Sequence, residues 1–130
     1  MKSILHLNLV IAWVWVLAGV VSGALLGLKF HEDRWQGGYA SLRRRMMRLG
    51  HIAFFGMAYL NLQFWMTGSQ LEFPALSARV ASWGFALGAL GMPLCCYLMA
   101  WRPSFRWSFA VPILGLLAGT GMTLKELMKP

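Results

Sequence analysis

The stretch that decides the fold is Ile4–Leu28, which reads ILHLNLVIAWVWVLAGVVSGALLGL and contains no Asp, Glu, Lys or Arg. A helix needs about 20 residues to cross a hydrocarbon core about 30 Å thick, and this stretch exceeds that length. Inside lipid, a helix satisfies all the backbone hydrogen bonds of a single segment. The stretch is also longer than the apolar region of a cleaved signal peptide, which has about 7–15 residues. Ile4–Leu28 therefore predicts a retained transmembrane helix.

Three further stretches of similar character follow, at Leu49–Leu71, Val80–Trp101 and Trp107–Leu124. The chain of 130 residues is 58% hydrophobic and 12% charged, whereas a soluble domain has about 25% charged residues. Short connections make consecutive helices antiparallel neighbours. We therefore predict an all-α integral membrane protein, a single four-transmembrane-helix antiparallel bundle over residues 1–130. Its helices are expected at about 4–28, 46–69, 80–101 and 107–126.

The charge distribution predicts the orientation of this bundle. The formal net charge is +8, and most Lys and Arg residues lie in the first and third connections. These residues are Lys29, Arg34, Arg43, Arg44, Arg45, Arg48, Arg102 and Arg106. The positive-inside rule then places both connections in the cytoplasm and both termini outside, in a bacterial-type inner membrane. Since topology explains the basic charge, we expect no nucleic-acid partner, and we expect the arginines to face anionic lipid headgroups.

Glycines recur four residues apart in three of the predicted helices, where they form one small-residue face per helix. Such faces let the backbones of membrane helices approach closely. The spacing is compatible with packing inside the chain and with docking of a partner helix, either from a larger membrane protein or from a second copy. The glycines are Gly19, Gly23 and Gly27 in the first helix, Gly84 and Gly88 in the third, and Gly115 and Gly119 in the fourth.

Polar groups within membrane helices are candidates for function, because their burial in lipid is costly. His51 lies on one helical face with Arg48 and Arg44, if the second helix extends back through that segment. This pattern is compatible with haem b, in which an imidazole binds the iron and arginines pair with the propionates. It is more commonly that of a histidine hydrogen-bonded to a neighbouring helix, beneath arginines that bind lipid headgroups.

A second axial ligand is harder to place. His31 follows the first helix on the same side as His51 and lies in a polar segment, which favours exposure to solvent. His6 lies near the opposite end of the first helix, so antiparallel packing separates it from His51. His31 could therefore reach His51, and Met47 is another possible ligand.

The remaining intramembrane polar residues are Asn8, Asn61 and Gln63, which we expect to bond between helices. No acidic residue lies within a predicted span, and the sequence contains no nucleophile–base pair or phosphate-binding glycine loop. Cys95 and Cys96 have no metal-site spacing. We therefore expect no enzymatic activity from the chain on its own.

The layout resembles the HemJ-type protoporphyrinogen oxidases, a family of small four-helix bacterial membrane haem proteins. The features that carry the resemblance are Leu5-His6, Trp13, Phe30-His31, the basic run Arg43-Arg44-Arg45, Arg106-Trp107, Pro112 and Lys129-Pro130. They cover about half of the chain. Arg79 and Val80 stand where that family has a His and a Lys. The resemblance therefore implies a small membrane bundle that holds haem, and not the oxidase activity.

Three hypotheses of function follow. The first is a protein that binds haem b and serves electron transfer or haem handling within a respiratory-type assembly, with His51 as iron ligand, His31 or His6 as the second ligand, and Arg44 and Arg48 on the propionates. The second is a non-catalytic accessory subunit that packs on larger membrane proteins through its glycine faces. The third is a membrane protein that binds small solutes or lipids.

Overall fold

A computed structural model describes residues 2–129, so Met1 and Pro130, the two ends of the predicted domain, lie outside the described residues. The described chain is helical and contains no strand. Its elements in order are helix α1 (Lys2–Gly27), a 3₁₀ turn (Trp35–Gly37), helix α2 (Leu42–Gln70), helix α3 (Ala75–Trp101), a second 3₁₀ segment (Pro103–Phe109) and helix α4 (Ala110–Leu127). Loop 1, residues 28–41, connects α1 to α2.

Local chemistry explains where the helices begin. Ser41 caps α2, because its hydroxyl accepts a hydrogen bond from the backbone N–H of Arg44 at 3.2 Å. This cap starts the helix at Leu42, four residues before the expected position. Pro74 precedes the first residue of α3, Ala75, which is five residues before the expected start. Residues 107–109, expected at the start of the fourth helix, belong instead to the second 3₁₀ segment.

Consecutive helices are antiparallel neighbours, as the short connections predict. In the α1–α2 pair, Gly23 near the end of α1 faces His51, whereas Leu5 near its beginning faces Gly68. In the α3–α4 pair, Gly84 packs against the backbone of Gly115, and Ser77 donates a hydrogen bond to Glu126 at 2.8 Å. Each pair therefore runs side by side over most of its length.

The four helices meet at one hydrophobic cluster, in which Leu5 of α1, Phe64 of α2 and Phe85 of α3 are buried and against which Leu116 of α4 packs. Helices α2 and α3 occupy the middle, α1 packs mainly on α2, and α4 packs mainly along α3. Thirteen residues of α3 are buried, whereas α4 has only two buried residues, Pro112 and Gly119. The outer faces of α1 and α4 are consequently exposed and apolar, since Trp13 is 66% exposed and Leu114 65%.

Three of the helical segments are long and apolar enough to cross a membrane: Ser3–Gly27, Ala75–Trp101 and Pro103–Leu127. Together with their apolar outer faces, these segments are consistent with a multi-pass membrane protein. Among the described residues, α2 does not meet the same measure of length and composition. It carries His51, Asn61 and Gln63, whose polarity lowers its mean hydropathy.

Candidate functional site

A hydrogen-bonded cluster of Asn8, Asn61 and Ser82 joins the first three helices. All three residues are 0% exposed. The Asn8 side-chain amide donates to Asn61 Oδ1 at 2.8 Å, and the Ser82 hydroxyl donates to Asn8 Oδ1 at 2.5 Å. The Asn61 amide donates to the backbone oxygens of Met57 at 2.9 Å and Phe85 at 3.3 Å. Every side-chain amide and hydroxyl in the cluster therefore has a partner.

This cluster has no polar atom left over for a substrate, an ion or a proton relay. Asn8 and Asn61 bond between helices, as expected from sequence, whereas the expectation for Gln63 was wrong. Gln63 is exposed, and its amide donates to Tyr59 Oη of the same helix at 2.6 Å. A further bond between helices, from Trp15 Nε1 to Ala89 O at 2.6 Å, was not foreseen. Indole N–H groups generally find an acceptor when buried, which is the signal that was available.

His51 is half-buried in the seam between α1 and α2. Its Nδ1 lies 3.0 Å from Ser22 Oγ, which also lies 3.0 Å from Gly19 O. Its ring packs directly on the backbone of Gly23 and edge-on to Phe55, with ring centroids 5.4 Å apart. Within residues 2–129, no hydrogen bond is made to Nε2. If the Ser22 proton is donated to the Gly19 carbonyl, Nδ1 carries the ring proton and Nε2 has a free lone pair.

The other two histidines lie away from His51. The α1–α2 register puts His6 beside the Leu5–Gly68 contact, whereas His51 faces Gly23, so the two rings are separated by roughly 25 Å along the helices. His31 is exposed in loop 1. The expectation that His6 and His51 cannot share one iron thus agrees with the register. The described residues contain no group of three or more His, Cys, Asp and Glu side chains arranged for a metal ion.

Arg44 is buried beneath loop 1, with 2% of its surface exposed. Its guanidinium donates to Phe30 O at 3.1 Å and to Glu32 O at 3.3 Å. The faces of Phe30, Trp35 and Tyr39 surround it at 5.4–5.6 Å. Cation–π contacts and charge-assisted bonds to carbonyls compensate for the burial of this charge. Arg44 therefore holds loop 1 in place, and its assignment to a haem propionate stays a prediction.

Arg48 and Arg43 occupy the same end of the molecule and are more accessible. The Arg48 guanidinium stacks on Tyr39 with 4.1 Å between Cζ and the ring centroid. Arg43 Nε donates to Ala100 O at 3.2 Å, and its Nη1 donates to Gln36 Oε1 at 3.3 Å. Arg43 thus connects loop 1, α2 and the end of α3. From the sequence, Arg43 was expected only as part of the basic run.

The residues around His51 fit a haem group only in part. His51 offers Nε2, and Arg48 lies one helical turn away. Arg44 bonds to loop 1 through Nη1 and Nη2, while its buried Nε has no hydrogen-bond partner among the described residues, and the other two histidines are remote or exposed. The grooves found in the described part of the chain are lined by other residues, and none of them includes His51. His51 would bind the iron of a haem in this region and Arg48 would pair with a propionate, whereas the structure brings no second histidine to them.

The recurring glycines make close contacts within the chain. Gly19 faces Phe55, and Gly23 faces His51, so both sit in the α1–α2 seam. Gly84, Gly88, Gly115 and Gly119 lie where α3 and α4 touch, and the closest neighbours of Gly84 are backbone atoms of α4. Gly27 has open space where a side chain would be. Six of the seven glycines are therefore in use within the chain, which leaves Gly27 alone among them for a partner helix.

Comparisons of the chain with models of protein families, with curated proteins and with solved structures gave no match. The resemblance to the HemJ-type oxidases consequently stays a prediction.

Proposed function

We propose that the protein is a four-span inner-membrane protein in which α2 is the fourth transmembrane helix. The support is the register of α2 with its neighbours. It runs antiparallel to α1 from the His51–Gly23 contact to the Gly68–Leu5 contact, and Asn61 in its middle bonds to Phe85 O of α3. A helix that lies alongside two spanning helices over this distance crosses the same layer. Asn61 faces these neighbours, whereas Gln63 and Tyr59 on the exposed side of α2 bond to each other.

The proposed orientation has loop 1 and the connection from α3 to α4 in the cytoplasm and both termini outside, because eight of the twelve Lys and Arg residues lie in these connections or in the first turns of α2. Two cysteine variants test the crossing and the orientation together, with Cys95 and Cys96 replaced by Ala. Ala40→Cys lies in loop 1, and Glu72→Cys lies beyond the other end of α2; both positions are exposed.

A membrane-impermeant maleimide should label the Glu72→Cys variant in intact spheroplasts and the Ala40→Cys variant only after permeabilisation. Labelling of both in intact spheroplasts, or of neither, would show that α2 does not cross. The reverse pattern would show a crossing with the opposite orientation.

For a protein with this four-span topology, the function that the geometry supports best is that of a non-catalytic accessory subunit. The observation that carries this proposal is the Asn8–Asn61–Ser82 cluster, because the polar atoms of the interior are used to join the chain's own helices. An apolar groove of about 200 Å³ on the α1–α2 face adds support. It is lined by Ala12, Trp13, Val16, Phe55, Ala58, Tyr59 and Leu62. Gly56, next to Phe55, has open space where a side chain would be and so lets another backbone approach.

Purification from native membranes in mild detergent tests this function. The protein should elute in a complex heavier than its own 14.6 kDa, and Gly56→Leu should release it. Gly121→Leu is the matched control, since Gly121 is also open but lies on α4. A wild-type chain that elutes as a monomer free of other proteins would refute the accessory role.

Haem b binding is the second candidate, and one observation favours it. Ser22 holds Nδ1 of His51 while Nε2 has no bond within residues 2–129, which is how a protein orients an iron-ligating imidazole. Bound haem would supply one-electron chemistry at the iron. A purified protein with a Soret band that His51→Ala removes, and that His6→Ala and His31→Ala retain, would support it. No Soret band, even after reconstitution with haem, would refute it.

A further inference from the structure

A groove of about 330 Å³ opens at the loop 1 end of the molecule, between loop 1, α2 and the end of α3. It is lined by Gln36, Arg43, Met47, Tyr97, Ala100 and Trp101. Polar atoms and apolar side chains thus line the same groove. Trp101 is 70% exposed at the last residue of a spanning helix, which is the position typical of tryptophans at the boundary between lipid and water.

Arg43 is held in this groove by two hydrogen bonds and remains exposed. Its Nε satisfies the carbonyl of Ala100 at 3.2 Å, one of the last carbonyls of α3 and so without a partner in its own helix. Its Nη1 bonds to Gln36 Oε1 at 3.3 Å. In the part of the chain that the structure describes, Nη2 makes no hydrogen bond. The guanidinium is therefore oriented before any ligand arrives, with three of its five N–H donors to spare.

Gln36 is held in the groove by an unusual backbone. It has φ 55° and ψ 31°, and it is the single non-glycine residue with positive φ in residues 2–129. This conformation costs roughly 1–2 kcal/mol for a residue with a side chain. Gly37 and Gly38 follow with φ of 85° and 89° and complete the turn. The amide nitrogen of Gln36, beside the Arg43 guanidinium, is a further donor for an oxygen ligand.

The electrostatic surroundings select an anion. Eight Lys and Arg residues lie at this end, in loop 1, the first turns of α2 and the connection from α3 to α4, against the two acids Glu32 and Asp33. Glu32 is already paired with Lys29 at 2.7 Å. Arg43 itself has no carboxylate partner among residues 2–129 within ion-pair distance. A basic pocket between membrane helices, with an apolar wall and an interfacial tryptophan, matches an amphiphile with a negative headgroup.

We propose that this groove binds the headgroup phosphate of an anionic phospholipid. Arg43 and Gln36 donate to the phosphate oxygens, and Met47 and Trp101 contact the glycerol and the first acyl carbons. This lipid site rests on the proposed function, because the proposed topology puts the loop 1 end of the molecule at a bilayer surface. A site of this kind would bind one annular lipid firmly at the seam where loop 1 meets α3.

Titration of the detergent-solubilised full chain with phosphatidylglycerol, followed by native mass spectrometry, tests the site. Arg43→Gln should weaken the affinity by about tenfold or more, since a hydrogen bond to a charged group is lost. Arg45→Gln is the matched control, because it removes the same charge from the adjacent, exposed turn of α2 but does not line the groove. It should leave the affinity within about twofold of wild type.

A second variant keeps the test informative if Arg43→Gln fails to fold. Gln36→Gly suits the positive φ, removes the side chain with its amide but no charge, and should cause a smaller loss of affinity than Arg43→Gln. Phosphatidylcholine of the same chain length should bind more weakly than phosphatidylglycerol, and inorganic phosphate alone should not displace the lipid.

Equal affinities in the Arg43→Gln and Arg45→Gln variants would overturn the proposal, as would equal binding of the two lipids. Displacement by inorganic phosphate would mean a site for a free anion and would overturn it too. The binding measurement is made in detergent, so it fails or succeeds independently of the maleimide labelling. A negative result for lipid binding in the groove can therefore be distinguished from a negative result for the proposed topology.

Discussion

Replacement of Gly84 by Ala should detach α4 from α3. A Cβ at position 84 would lie 2.8 Å from the backbone nitrogen of Gly119 and 3.0 Å from its Cα, and closer still to the carbonyl oxygen of Gly115. These are backbone atoms, which cannot rotate away as the end of a side chain can. The two helices must move apart to admit the methyl group. Since α4 packs mainly along α3, little else holds it.

The expected loss in the free energy of unfolding follows from this overlap between the new methyl group and the backbone of α4. Inserting a methyl group into a tightly packed contact costs about 1–3 kcal/mol. Gly121→Ala is the matched control on α4, because a Cβ there meets nothing within 4 Å. Both variants change Gly to Ala in a helix, so the gain of up to about 1 kcal/mol in helix propensity is common to them. The difference between the two free energies of unfolding therefore isolates the α3–α4 contact.

Equilibrium unfolding measures this difference. The protein in mild detergent is titrated with dodecyl sulfate, and the fluorescence of its seven tryptophans reports the transition. Gly84→Ala should unfold at a lower dodecyl sulfate fraction than wild type, and Gly121→Ala at the same fraction or a higher one. Equal midpoints for the two variants would refute the close backbone contact between α3 and α4.

Three further perturbations probe other parts of the molecule. Asn61→Leu should lower the free energy of unfolding by about 0.5–2 kcal/mol in the same titration, because a buried bond between helices is lost. Arg44→Gln should speed hydrogen exchange of the loop 1 amides, whereas Arg45→Gln should not. The hydrogen bond from Lys29 holds the pKa of Glu32 below its ordinary value, and Lys29→Met should raise that pKa in an NMR titration.

Each of these outcomes has its own check. Gln63→Leu, on the exposed face of α2, should leave the unfolding midpoint close to that of wild type, and an effect equal to that of Asn61→Leu would contradict the cluster. Unchanged exchange in loop 1 after loss of Arg44 would contradict its role as an anchor. A lowered carboxyl pKa means that the Lys29–Glu32 pair is intact above that pKa and is lost as the pH falls through it. A Glu32 that titrates identically with and without Lys29 would refute the pair.

The sequence predicts the existence of the helices well and their ends poorly. An uncharged stretch long enough to span indicated α1, and the helix matches it closely. For α3, Arg79 led to an expected start at residue 80, but the helix begins at Ala75. A charge marks the edge of the apolar layer, whereas a helix continues past that edge until a residue such as Pro74 ends it. The serine cap at Ser41 similarly extends α2 by one turn beyond the expected start.

The candidate site was predicted less completely, because residue spacing describes one helix and not what covers it. The spacing does put Arg44, Arg48 and His51 on related turns of α2. It does not reveal that loop 1 folds back over Arg44 and leaves it 2% exposed. Nor does it reveal that His51 packs on Gly23 of the neighbouring helix. Both facts depend on contacts between segments far apart in sequence.

The packing also explains why mean hydropathy alone does not identify α2 as a transmembrane helix. In water, a helix buries its apolar face, but here the most buried side chains include Asn8, Asn61 and Ser82, while Trp13 and Leu17 are 66% and 65% exposed. With apolar solvent outside, polar groups gain most from facing one another. A central helix with two packed neighbours can therefore carry more polar residues than a peripheral one. The low hydropathy of α2 is thus what its position between α1 and α3 allows, and it is compatible with a fourth span.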